Sequence, residues 1–181
     1  MKYQFGEDWG IMPYLKDFKL FRKGRGRKIT HMLSTQDDFL ESKIYIFDYQ
    51  YKRGKKGRKY MQTVFFIESK KLGLPQFFME PEQFFHRISE LLGFVKDIDF
   101  EEHPEFSNNY LLSGDDEQYI RFAMNEQFRR LFTVEKDWTL EGINYYLIFY
   151  RKGRLMRESY IRDFYQKGME VVKTLSVEER T

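Results

Sequence analysis

The chain has 181 residues, enough for a single domain with a substantial core, and a net charge of +3. It contains no Cys, which removes disulfides, thiolate metal sites and Cys nucleophiles together. No apolar run approaches the ~20 residues that span a bilayer, and no signal-like apolar stretch opens the chain, so a cytoplasmic domain is expected.

Hydrophobic residues make up 41% and aromatics 19%, with 19 Phe and 13 Tyr, a globular composition whose core should rest on aromatic rings. A thin amphipathic sheet with tyrosine hydroxyls turned outwards would accommodate so many Tyr. The charge is segregated. Residues 1–80 hold 17 Lys/Arg against 9 Asp/Glu, residues 81–138 hold 6 against 13, and residues 139–181 hold 8 against 6. Such asymmetry speaks to partners rather than to fold.

In chain order, residues 1–28 carry apolar residues at mixed spacing around Pro13. This segment is read as loop followed by a short helix or strand, with 1–20 a candidate peripheral segment of an otherwise single domain, 1–181. A strand is expected near 28–34. The clearest signal is a hairpin, Lys43–Tyr51 with Lys59–Glu68, both runs alternating and rich in aromatic and β-branched residues. Tyr45, Phe47, Tyr49 and Tyr51 share one face, Ile44, Ile46, Asp48 and Gln50 the other. Residues 52–59 between the runs should form a protruding, mobile tip.

A short strand at 76–79 follows, then a first helix opened by Pro81, with Phe84, Phe85, Ile88, Leu91 and Leu92 as its stripe and Gly93 as its stop. Residues 97–100 and 109–112 suggest short strands. Ser113 and Asp116 suggest a capping box for a second helix that buries Ile120, Ala123, Met124, Phe128, Leu131 and Phe132. Residues 140–150, apolar on both faces, read as one long central strand. A closing helix spans about 158–175. The fold class is α+β, a mainly antiparallel sheet with about three helices packed on it.

Three basic clusters stand out, each with Gly in or beside it: Arg22, Lys23, Arg25, Arg27 and Lys28; Lys52, Arg53, Lys55, Lys56, Arg58 and Lys59; and Arg151, Lys152 and Arg154. If they share one end of the sheet they form an anion- or partner-binding surface for an acidic protein, an anionic lipid or a nucleic acid. Tyr49, Tyr51, Tyr60 and Tyr150 lie near enough to stack on bases. The simpler reading is that basic turns keep strand ends soluble.

The acidic stretch 97–117 resembles the start of a calcium loop, but it lacks the central Gly and a carboxylate at the twelfth position, so no metal is assigned. It could instead dock a second copy of the chain or another protein. His31, His86 and His103 are far apart, and no catalytic set can be assembled from them. No cofactor motif is present: Gly24-Arg-Gly26 lacks the third Gly of a dinucleotide fingerprint. Asp48 breaks the apolar strand around it and is the one candidate polar site, although such an Asp commonly faces solvent or pairs with an Arg.

Several phrases, Lys-Gly-Arg-Gly-Arg-Lys from residue 23, Ile-Phe-Asp-Tyr-Gln-Tyr at 46–51, Leu-Pro-Gln-Phe-Phe-Met-Glu-Pro-Glu at 74–82, Asp-Ile-Asp-Phe at 97–100 and Pro-Glu-Phe-Ser-Asn-Asn-Tyr-Leu-Leu-Ser-Gly at 104–114, resemble a family of uncharacterised bacterial proteins. In that family such a domain often follows one or two N-terminal transmembrane helices. The resemblance runs from about residue 20 to 170. It implies a prokaryotic, cytosol-facing domain, membrane-associated in its tethered relatives, and assigns no activity; this chain shows no such helices. A non-enzymatic interaction or ligand-binding domain acting through basic loops is the favoured expectation. A nucleic-acid-binding module and an enzyme using carboxylates such as Asp48, Asp97 and Asp99 are the alternatives.

Overall fold

In the computed structural model, residues 2–4, 10–37, 41–87 and 97–176 are described. Eight strands form one antiparallel sheet: β1 (Lys2–Gln4), β2 (Arg25–Asp37), β3 (Ser42–Arg53), β4 (Arg58–Ser69), β5 (Leu74–Pro81), β6 (Tyr110–Gly114), β7 (Thr139–Asn144) and β8 (Tyr146–Tyr150). Their order across the sheet is β1-β2-β3-β4-β8-β7-β5-β6. The helices are α1 (Met12–Leu15), α2 (Lys19–Arg22), α3 (Pro104–Asn109), α4 (Glu117–Ala123), α5 (Glu126–Val134) and α6 (Ile161–Leu175). The α+β architecture and the antiparallel sheet agree with the sequence reading. Six α-helices among the described residues replace the expected three.

The sheet is a middle layer. On one face α1 and α2 lay Ile11, Leu15, Phe18, Leu20 and Phe21 against Phe47, Tyr49, Val64, Phe66 and Ile148. Residues 11–21 therefore belong to the core. On the other face α3–α6 cover Ile46, Phe65, Met79, Leu140 and Phe149. Burial of both faces explains why so many Tyr are inside: Tyr49 and Tyr150 are both at most 1% exposed, contrary to the expectation of outward hydroxyls. Tyr150 donates to Glu141, and Tyr110 to the carbonyl of Glu135 at 2.6 Å, so these rings are buried with their polar ends bonded.

The hairpin of β3 and β4 keeps the expected register, with Ile44 opposite Ile67 and Lys52 opposite Lys59. Pairing continues to Arg53 and Arg58, so the tip is a four-residue turn, 54–57, and not the longer mobile loop expected. Gly54 and Gly57 both sit at positive φ, where their lack of a Cβ lets the turn close.

Other local signals were overridden. Pro81 ends β5, paired with Tyr110, instead of opening a helix; a 3-10 turn covers 82–87, and the expected stripe beyond it at Ile88, Leu91, Leu92 and Gly93 lies outside the described residues. The short strand expected at 76–79 is the eight-residue β5, paired on both edges. Residues 97–100 form no strand, although the Ile98 N–H donates to the Leu112 carbonyl at 2.8 Å.

Ser113 belongs to β6, and Asp116 itself caps α4 by accepting from the Tyr119 N–H. The second helix breaks at Met124, after which the Asn125 side chain caps α5 by accepting from the Phe128 N–H. The run 140–150 is a hairpin, β7 and β8, joined at Asn144 and Tyr145, with Asn144 in the left-handed region. Among the described residues, no helix is long and apolar enough to cross a membrane.

Candidate functional site

The three basic clusters meet at one end of the sheet. Arg25 lies opposite Lys52 and Lys28 opposite Gln50 in register, which joins the first cluster to the second. Close packing makes this join tight: a Cβ on Gly24 (φ +64°) would lie 2.3 Å from the Lys52 carbonyl oxygen. The third cluster runs alongside β4, where the Thr63 N–H donates to the Arg154 carbonyl at 3.0 Å and the Gly153 N–H to the Gln62 side chain. Lys52 stands directly opposite Lys59, and Arg53 opposite Arg58. Like charges placed across strands repel, so this end of the hairpin concentrates positive potential.

The clustered cations do different jobs. Arg27 donates to the carbonyls of Arg22, Lys23 and Gly24 and so builds its own loop. Arg22 pairs with Asp17, and Arg154 with Asp137. Arg151 lies over the Trp138 ring, 4.0 Å from its centroid, and near Glu135. Arg25, Lys28, Lys52, Arg53, Lys55, Lys56, Arg58 and Lys59 are exposed, with Arg58 over the Tyr60 ring. Tyr49, Tyr51 and Tyr150 are buried in the core and offer no face to a stacked base, which corrects that expectation.

Lys23 and Lys152 turn inwards. Together with Lys19 they surround the Phe78 ring at 5.9, 5.9 and 4.3 Å from its centroid. Lys152 contacts the buried Glu80. Burial, Lys23 and Arg53 push the Lys152 ammonium down to about 7. Glu141, 2% exposed, accepts from the Lys19 N–H at 2.5 Å, the Leu20 N–H at 3.0 Å and the Tyr150 hydroxyl at 3.2 Å. It therefore satisfies the first N–H groups of α2 from across the sheet. Burial raises its carboxyl above the ordinary range, against the opposing pull of Lys23 and of the bonds it accepts.

Asp48 lies on the other face of the sheet, in a groove of about 1160 Å³ between β2–β4 and the start of α6. Its Oδ1 accepts from the Thr63 hydroxyl at 2.6 Å, and its Oδ2 lies 2.9 Å from His31 Nδ1. Thr63 Oγ1 in turn accepts from the Met156 N–H at 2.8 Å.

His31 was not singled out from the sequence as a partner, and a β-bulge explains why. Between Thr30 and Leu33 the register with β3 shifts by one residue, and His31 takes a φ of +52°. Ile29 and Met32 then pack on the α1–α2 face while Leu33 packs on the α6 face. Strict alternation cannot place His31 beside Asp48; only the bulge does.

Three of the acids at 97–117 serve the fold. Asp97 accepts from the Leu112 N–H, Asp116 caps α4 and Glu117 pairs with Arg121. Among the described residues, no cluster of His, Cys, Asp or Glu is arranged to hold a metal ion.

No protein-family model and no curated protein matches the chain. Its fold is similar to that of the mycobacterial trehalose monomycolate transport factor A, TtfA, with a TM-score of 0.60 over 96% of this chain and 83% of that one, at 11% identity. At that identity the likeness speaks for the fold alone.

Proposed function

We propose that this chain is a non-enzymatic binding domain that docks on an anionic lipid surface through the basic end of its sheet. The observation that carries the reading is the basic β3–β4 tip, where Lys52 faces Lys59 and Arg53 faces Arg58, with Arg25 of β2 opposite Lys52. An anionic surface relieves that repulsion, and each Lys or Arg near such a surface contributes about 1 kcal/mol. Further support comes from the shared fold with a trehalose monomycolate transport factor, and from the resemblance to domains found behind membrane helices. The burial of Tyr49, Tyr51 and Tyr150 disfavours the nucleic-acid alternative.

Co-sedimentation with phosphatidylglycerol-containing vesicles against pure phosphatidylcholine vesicles tests the reading. Binding is expected only to the anionic vesicles and should fall as salt rises. Neutralising Lys52, Lys55 and Lys56 to Gln should weaken it by about 3 kcal/mol, roughly a hundredfold or more. Absence of binding at low salt, or salt-dependent binding to random RNA without any to vesicles, overturns it.

A further inference from the structure

The groove between β2–β4 and α6 is a second site, on the opposite face of the sheet from Lys23 and Lys152. We propose that it binds an amphiphile with a neutral, polyhydroxylated head and one aliphatic chain. The inference does not rest on docking at the basic end.

Four observations carry it. First, the polar floor is built. Asp48, beside Phe47 and Tyr49 in β3, is held by Thr63 and His31, and Thr63 is held by the Met156 N–H. Second, the rim carries His31, largely exposed, at φ +52° in a bulge, and such backbone is kept where the surrounding structure needs a side chain re-aimed. Third, the walls are apolar, supplied by Leu33, Ile46, Met156, Ile161 and Tyr165. Fourth, at about 1160 Å³ the groove is roomy enough for a ligand larger than most small metabolites.

The chemistry of the lining selects the head. Asp48 and Glu158 offer carboxylates, while Arg162 and Gln166, one turn apart on α6, offer donors. Each Asp48 oxygen accepts one bond from the protein and retains a second acceptor site. With Nδ1 turned to Asp48, the His31 ring keeps Nε2 for a ligand. A hydroxyl both donates and accepts, so a head with several hydroxyls can satisfy the carboxylates and the donors alike. An anionic head would meet two carboxylates against one guanidinium, the reverse of the balance at the basic end. Binding rather than turnover fits the geometry, because the Thr63 hydroxyl is already committed both as donor and as acceptor.

The test uses the full chain and n-octyl β-D-glucoside below its micelle concentration, followed by amide chemical shifts. Octyl sulfate carries the same tail on an anionic head, and glucose is the head alone. Saturable octyl glucoside binding is expected, with shifts confined to residues around 31–35, 46–48, 63 and 156–166. Octyl sulfate and glucose should each bind this site at least about tenfold more weakly. Asp48→Asn should weaken glucoside binding about tenfold while keeping a folded spectrum, and Leu33→Trp should block it. The Lys52, Lys55 and Lys56 neutralisation should leave it unchanged, which separates this site from vesicle docking. Octyl sulfate binding as tightly at the groove, an Asp48→Asn variant that binds octyl glucoside like the parent, or no glucoside shifts at all would overturn the proposal.

Discussion

Glu141 gives the sharpest test of how the N-terminal segment is held. Its carboxyl receives two backbone N–H groups of α2 and the Tyr150 hydroxyl, in a site 2% exposed. Glu141→Ala would leave these three buried donors without an acceptor and take the counter-charge from Lys23. Each orphaned donor costs about 1–3 kcal/mol, but the segment can relax or admit water, so a loss of about 4 kcal/mol is expected.

Glu141→Gln keeps one oxygen and turns an NH₂ towards a donor, so about 2 kcal/mol is expected. Urea unfolding at neutral pH measures both, as a shift in midpoint at constant slope. Tyr150→Phe in the same background should couple to Glu141 by about 1 kcal/mol. Limited proteolysis of the Ala variant should cut within 10–24 before the rest of the chain, because α1 and α2 lose their anchor. An Ala variant losing less than about 1 kcal/mol would refute the view that this carboxyl ties the segment to the sheet.

Two further outcomes follow from the packing and the charges. Gly168 of α6 lies against the Phe65 ring, where an added Cβ would come within 2.6 Å of two ring carbons. Overpacking by Gly168→Ala should outweigh the helix gain of about 1 kcal/mol and lower stability by about 1–2 kcal/mol; a raised thermal midpoint would contradict it. For Lys152, the unfolded chain holds the proton between about 7 and the ordinary 10.5 while the folded chain releases it. Stability of the parent relative to Lys152→Met should therefore rise with pH across that window. A flat difference would mean that Glu80 keeps the ammonium charged throughout.

What could be read from the sequence is what is encoded locally. The β3–β4 hairpin, β6, the buried stripes of α4 and α5 and the closing helix all follow from period-two or helical spacing over a few residues. The class of the fold was legible for the same reason, whereas the basic residues expected in turns lie largely within strands: Arg25, Arg27 and Lys28 in β2, Lys52 and Arg53 in β3, Arg58 and Lys59 in β4. Local pattern failed where two elements carry one continuous apolar character. Residues 139–150 fold back at Asn144 although no Gly or Pro marks the place, because pairing of Leu140 with Phe149 places both strands inside the sheet.

Tertiary structure alone decided the rest. Burial of both sheet faces turned Tyr49, Tyr51, Tyr110 and Tyr150 inwards, and Glu141 reached residues 19 and 20 across more than a hundred positions of sequence. Asp48 was visible as a broken rule, but its partner was not. An extra residue between Thr30 and Leu33 of β2 shifts the phase of the strand there, and only the pairing with β3 shows where that shift falls. The basic residues were legible as charges, whereas the strand register decided which would face one another, which would turn inwards to Glu80 and Glu141, and which would remain on the surface.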